Sequence, residues 1–191
     1  MKKLVLSALL AATIVSANDY NYEITPTVGV AFPNGAQEIK SHGVYGAEML
    51  YNGYDAPIKP EVTLLMSNAD YKNSIGNTNI FRLAFNGVYT FKMNTPVTPF
   101  VKLGLGAEVM NNTQYDNHNG PFVDAGVGIK IALYDQIALK LEAIEMLKFN
   151  HLTTDDNLML MVGLDFAFGD TAKASAPLFA SEDTMSQPIS K

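Results

Sequence analysis

Three histidines and the acidic residues near them are the groups in this chain best suited to acid–base or metal chemistry. His118 follows Asp116, His151 precedes a pair of aspartates at 155–156, and His42, like the other two, falls in a predicted loop. Converging loops could join them into a hydrolytic or metal site. However, their spacing matches no known ligand pattern, and the chain has no cysteine to supply a thiolate. We therefore expect solvated loop histidines and a protein without catalytic residues, bound metal or cofactor.

A second set of charged residues alternates with apolar residues inside otherwise apolar segments. In 120–133, Val123 and Val127 alternate with Asp124 and Lys130. Successive side chains of a strand point to opposite faces, so the charges share one face. The carboxylates on this face lie among lysines and an arginine, where ion pairing is a simpler role than catalysis. The charged set comprises Glu23, Glu48, Glu61, Arg82, Lys102, Glu108, Asp124, Lys130, Lys140, Glu142 and Asp165.

Eight segments with this two-residue period are predicted to position the charges. The predicted strands are 21–32, 44–51, 60–68, 79–91, 98–110, 120–133, 136–149 and 157–168. Tight or short turns such as 93–96 alternate with longer polar loops such as 111–119. This alternation is typical of outer-membrane barrels, whose tilted strands span the bilayer in about 9–11 residues. We predict an all-β fold: an eight-stranded antiparallel transmembrane β-barrel with short periplasmic turns and longer extracellular loops.

The face opposite the charges is apolar, and in a membrane barrel it would contact lipid. Only Glu145 breaks this rule, close to the loop end of its strand, where the cost of a charge is small. Aromatic residues gather toward both ends of the predicted strands, as expected at two lipid–water interfaces. Pro26 lies inside the first strand and predicts a local bulge or distortion there. The alternative is a soluble lipocalin-like barrel, with the apolar face inside around a ligand.

The charged face then becomes the barrel interior, which eight strands leave only wide enough for side chains. Lys102, Lys130 and Lys140 come from consecutive strands at similar depth. Their nearest candidate partners are Asp165, Glu23 and Glu142, and Arg82 is expected to meet Glu48, Glu61 or Asp124 at another depth. Two interpretations stay open: a polar core that holds the barrel closed, or a gated ion path in which a salt bridge changes partner. The candidate network and gate is Glu23, Glu48, Arg82, Lys102, Asp124, Lys130, Lys140, Glu142 and Asp165.

The two ends of the chain differ from the middle. Residues 1–17 combine a basic start, an apolar stretch too short to span a bilayer and small residues before Asn18, which predicts a cleaved signal peptide. Cleavage removes two of 13 basic residues and none of 19 acidic ones, leaving a net charge of −8, which argues against nucleic acid as a partner. Residues 18–169 form the predicted barrel, and 170–191 a flexible periplasmic tail.

Short motifs in a particular order carry a resemblance to a known family. They are ITPT at 24–27, SHGVYG at 41–46, YDN at 115–117, GVGIK at 126–130, IALKLE at 137–142 and KFNH at 148–151. Their order and spacing resemble the amino-terminal barrel of OmpA/OprF-type outer-membrane proteins, most of all the branch that includes fibronectin-binding adhesins. The resemblance implies an eight-stranded barrel in the cell outer membrane, with roles in envelope integrity, slow solute passage or host adhesion. The peptidoglycan-binding domain that often follows such barrels is not expected here.

Three functions follow from these expectations. The first is a structural envelope barrel with surface loops exposed outside; the others are a small gated porin and a host-matrix adhesin that uses its loops. The expected partners are outer-membrane lipids, the barrel-assembly machinery through the last strand ending at Phe168, and an extracellular-matrix or cell-surface ligand.

Overall fold

The structure is a closed barrel of eight antiparallel strands. The computed structural model describes residues 20–34, 38–72, 76–111, 119–149 and 154–171. The strands are β1 (Tyr20–Pro33), β2 (His42–Tyr51), β3 (Ile58–Asp70), β4 (Asn77–Thr90), β5 (Val97–Asn111), β6 (Gly120–Tyr134), β7 (Ile137–Phe149) and β8 (Thr154–Thr171). Among these residues there is no helix long and apolar enough to span a bilayer.

Each strand pairs with its neighbours in sequence, and β1 pairs with β8 to close the barrel. This confirms the all-β, eight-stranded fold. Most strands extend one to three residues beyond their predicted ends, and β8 continues to Thr171, so the first two residues of the predicted tail belong to the barrel. The predicted signal peptide and the rest of the tail lie outside the described residues.

The barrel has two rims, which we call the terminal rim and the loop rim. The terminal rim holds Tyr20, Thr171 and the connections 52–57, 91–96 and 135–136. The loop rim holds the connections 34–41, 71–76, 112–119 and 150–153. Because the strands extend into the predicted loops, the connections at the two rims differ less in length than the sequence predicted.

Pro26 distorts the strand pairing locally, as predicted, but it produces no bulge. The register between β1 and β2 runs unchanged through Pro26, which lies opposite Ala47. Pairing with β8 keeps the same register on both sides but is interrupted at Thr25 and Pro26, because proline has no N–H to donate to the ladder. The register shift in this pair of strands lies instead between Tyr20 and Tyr22.

The apolar face points outward and the charged face inward, as predicted. Leu103 and Leu105 are 69% and 65% exposed, whereas Lys102 is 4% exposed. Tyr134 and Phe168 are exposed at the terminal rim, and the loop rim presents its own exposed aromatic residues, Phe32, Tyr45, Phe81 and Phe149. Transferring this apolar exterior to lipid costs little, whereas a lysine or arginine at the bilayer midplane would cost about 2–4 kcal/mol. Because the apolar face points outward and the charged face inward, the barrel does not have a lipocalin-like arrangement, in which the apolar face would line the interior.

Candidate functional site

Five charged side chains form a central cluster inside the barrel: Glu48, Glu61, Lys102, Lys140 and Glu142. Lys102 Nζ lies 3.1 Å from Glu48 Oε1, 3.1 Å from Glu61 Oε1 and 2.7 Å from Glu142 Oε1. Lys140 Nζ contacts the other oxygens of the same carboxylates, at 2.5, 3.1 and 3.5 Å. Each lysine is thus shared by three carboxylates, which offsets the cost of removing these charges from water.

The central cluster is positioned by four strands, by a glycine that leaves room for its side chains and by the aromatic ring of a phenylalanine. The cluster joins β2, β3, β5 and β7 across the lumen. A Cβ at Gly126 would lie 2.9 Å from both Glu142 Oε1 and Lys102 Cγ, so only glycine leaves room for these chains. The ring of Phe100 lies 4.8 Å from Lys140 Nζ and adds a cation–π contact.

Neutral side chains extend the central cluster. Asn86 Nδ2 donates hydrogen bonds to Thr63 Oγ1 at 2.9 Å and to Glu61 Oε1 at 3.2 Å, and Thr63 also donates to Glu61. Asp124 is buried beside the cluster and interacts electrostatically with Lys102. Its Oδ1 finds no hydrogen-bond partner among the described residues, so Asp124 lies at the edge of the network.

A terminal cluster lies nearer the terminal rim and contains Glu23, Lys130 and Asp165. Lys130 Nζ pairs with Glu23 and lies 2.7 Å from Asp165 Oδ2. Thr25 donates to Asp165 at 2.9 Å, and Asn52 donates to Glu23 at 2.7 Å. The predicted pairing of Lys130 is confirmed, but Lys130 belongs to a cluster separate from that of Lys102 and Lys140.

Arg82 lies in a third group near the loop rim, and its predicted partners were wrong. It meets neither Glu48, Glu61 nor Asp124; its Nε lies 2.7 Å from Glu108 Oε2. Arg82 and Glu108 stand directly opposite each other on β4 and β5, which fixes this pairing.

Glu108 also accepts a hydrogen bond from Lys148 Nζ at 2.7 Å, and both residues are fully buried. Lys148 was missed as an inward residue although it shares the alternation of Lys140 and Glu142 along β7. Its position close to the predicted loop concealed that signal.

His42 corrects the expectation of solvated histidines. It is the first residue of β2 and is 7% exposed, and its Nδ1 lies 2.9 Å from the carbonyl oxygen of Lys40. His118 and His151 lie outside the described residues. Within the described part of the chain, no group of three or more His, Asp or Glu side chains is arranged to hold a metal ion.

An apolar layer separates the group around Arg82 from the central cluster. Along β4, Ala84 lies between Arg82 and Asn86; along β3, Leu65 lies between Ser67 and Thr63. The layer comprises Ala31, Val44, Leu65, Ala84, Phe122, Ile144, Met146, Met159 and Met161. Charged and apolar levels therefore alternate along the lumen, an arrangement that opposes a continuous aqueous path.

The comparisons with known proteins agree with this architecture. The family model described as outer membrane protein beta-barrel domain matches residues 4–168. The structure is similar to Neisserial surface protein A (11% identity, 78% of this chain and 97% of that chain, TM-score 0.62). It is similar to OprG from Pseudomonas aeruginosa (11% identity, 82% of this chain and 100% of that chain, TM-score 0.60). These two likenesses show a shared fold. No curated protein sequence matches the chain significantly.

Proposed function

Because the chain belongs to the outer membrane protein beta-barrel domain family, we propose that it is a structural barrel of the envelope whose filled lumen keeps it closed. The chain is an outer-membrane β-barrel protein. Under this proposal, the barrel spans the membrane, conducts no solutes and performs no catalysis.

The observation that carries the proposal is the shared contact of Lys102 and Lys140 with the same three carboxylates. Glu48 and Glu61 come from β2 and β3, and the lysines from β5 and β7, so the ion pairs brace strands that do not pair with each other. Removing one partner of such a buried group costs about 3–5 kcal/mol. Because an ion path through the lumen would have to break these ion pairs, the same contacts oppose its opening.

Conductance of the refolded mature chain in planar bilayers tests this proposal. We expect no stable channel steps from the parent protein, because the apolar layer and the central cluster fill the lumen. Reproducible channel openings in the parent would overturn the structural proposal.

A gated ion path is the second candidate function, and the geometry of the central cluster favours it over adhesion. Both lysines already contact Glu48, Glu61 and Glu142, so a change of partner requires no new group. Under this candidate the parent conducts, and Lys102→Ala and Glu142→Ala alter its conductance; Lys72→Ala, an exposed lysine, is the matched control. Identical conductance in all four proteins would contradict a gate at the central cluster.

The proposed partners follow from the exterior of the barrel. The exposed leucines of β5 contact outer-membrane lipids, and the barrel-assembly machinery recognises the last strand, in which Phe168 stacks on Tyr22 with ring centroids 5.7 Å apart. A cell-surface or matrix ligand would bind at the loop rim. Deletion of 111–119 is expected to weaken cell binding if that loop forms the contact, and unchanged binding would exclude it.

A further inference from the structure

Two connections at the loop rim bury apolar side chains where loops usually expose polar ones. Ile39 and Tyr71 are 0% and 1% exposed, and a β-bridge joins them, which continues the pairing of β2 and β3 beyond the ends of these strands. The amide of Lys40 donates to the carbonyl of Asp70 at 2.9 Å, which strengthens the bridge. We call Ile39 and Tyr71 the lid. They pack on inward residues of the adjoining strands, namely Ala69, Ile80 and Met110.

Beneath the lid lies a ring of buried polar side chains with unused hydrogen-bonding atoms. His42 Nε2, Ser67 Oγ, Arg82 Nη2 and both amide atoms of Asn157 find no partner among the described residues. All four residues are less than 8% exposed. A buried polar atom without a partner costs about 1–3 kcal/mol, so several on one level call for a polar occupant. We call these four residues, with Glu108 and Lys148, the loop-rim ring.

The chemistry of the loop-rim ring favours a neutral occupant that both donates and accepts hydrogen bonds. Arg82 and Lys148 are balanced by Glu108 and by Asp155, which lies opposite Lys148 in the β7–β8 pair. The Nδ1 of His42 donates to a carbonyl oxygen, which leaves Nε2 as an acceptor, while Arg82 Nη2 is a donor. Water meets both needs, and buried water commonly makes about three hydrogen bonds to such groups.

The lower boundary of the ring is the apolar layer already described. On β8, Met159 and Met161 follow Asn157 toward the terminal rim, and on β7, Met146 and Ile144 follow Lys148. The loop-rim ring is thus separated from the central cluster by two apolar side chains on each of these strands.

We propose that the loop-rim ring is a hydrated vestibule, closed by the lid and ending at the apolar layer. Displacement of the Ile39 and Tyr71 side chains connects the vestibule to the solution at the loop rim. The rest of the lumen stays sealed. This inference does not rest on the structural function proposed above, because a vestibule that ends at an apolar layer is compatible with a barrel that conducts nothing.

Cysteine accessibility tests the vestibule, since the chain has no cysteine of its own. Ser67→Cys places a reporter of similar shape in the loop-rim ring, and Thr63→Cys places one below the apolar layer. Each is combined with Tyr71→Ala, which removes the larger lid side chain, or with Tyr45→Ala, which removes an exposed tyrosine at the same rim. Each folded barrel, verified by heat-modifiable gel migration, is treated with a small charged methanethiosulfonate.

The expected result is slow modification of Ser67→Cys, accelerated about tenfold or more by Tyr71→Ala through a larger open population. Tyr45→Ala leaves the rate unchanged, and Thr63→Cys stays unreactive in every background. Equal rates of modification of Ser67→Cys with and without the Tyr71 side chain would overturn closure of the vestibule by the lid. Failure of Ser67→Cys to react in either background would overturn it too. Reaction of Thr63→Cys in the Tyr71→Ala background would overturn the apolar layer as the end of the vestibule. If Tyr71→Ala does not fold, Ile39→Ala removes the other side chain of the lid and decides the same outcomes.

Discussion

The central cluster and the loop-rim ring both place charges inside the same barrel, yet they satisfy them differently. In the central cluster, two lysines share three carboxylates and Asn86 supplies further donors. In the loop-rim ring, Glu108 pairs with Arg82 and Lys148, but nearby polar atoms of Ser67 and Asn157 have no partner among the described residues.

This difference shows how one lumen can be rigid at one level and accommodating at another. In the central cluster each of the five charged side chains lies within 3.5 Å of an opposite charge, so any shift separates charges that nothing else compensates. A ring with spare donors and acceptors exchanges partners at little cost, provided that water reaches it. The comparison assigns bracing of the barrel to the central cluster and hydration to the loop-rim ring.

The largest effect is expected from Lys140→Met in the central cluster. It leaves three buried carboxylates facing Lys102 alone, and the free energy of unfolding should fall by about 3–5 kcal/mol. Urea unfolding of the refolded barrel in lipid vesicles measures the change, with Lys72→Met at an exposed position as the control. If Lys140→Met loses no more free energy of unfolding than the control, the central cluster does not stabilise the barrel.

An intermediate effect is expected from Arg82→Met. Glu108 keeps its hydrogen bond from Lys148, so the loss should be limited to one charged hydrogen bond, about 1.5–3 kcal/mol. The same unfolding measurement applies, and a double variant with Lys148→Met should lose more than the two single variants together, because Glu108 is then stranded. A loss as large as that of Lys140→Met would erase the contrast between the two levels.

The smallest effect is expected from Ser67→Ala. Its hydroxyl has no protein partner among the described residues, so only contacts with water are lost and the stability should change by less than about 1 kcal/mol. Thr63→Ala is the matched comparison in the central cluster, where the hydroxyl donates to Glu61 and accepts from Asn86. If Ser67→Ala costs more than Thr63→Ala, the loop-rim ring is the better satisfied level.

Much of the fold was readable because alternation is a local property of the chain. Along β6, Val123 and Val127 face out while Asp124 and Lys130 face in, as the two-residue period requires. The ends of the strands were less readable. Ladder hydrogen bonds continue into polar segments such as 154–156, where the sequence carries no apolar signal.

The candidate site was predictable in its members more than in its pairings. Eight of the nine predicted residues lie in or beside the central and terminal clusters, whereas Arg82 pairs with Glu108 because the β4–β5 register sets them opposite each other. Lys148, His42 and the lid were not foreseen. Their burial depends on how far the strands extend and on how the pairing of β2 with β3 continues beyond the strand ends.

The sequence by itself determined which side chains face lipid and which face the lumen, since side-chain direction follows from the position along a strand. Only the tertiary structure decided which charges meet. Closure of β1 on β8 and the register of each pair set the height of Lys102, Lys130 and Lys140 relative to carboxylates far away in sequence. Ion pairing depends on distance in space, and in a closed barrel that distance is a property of all eight strands together.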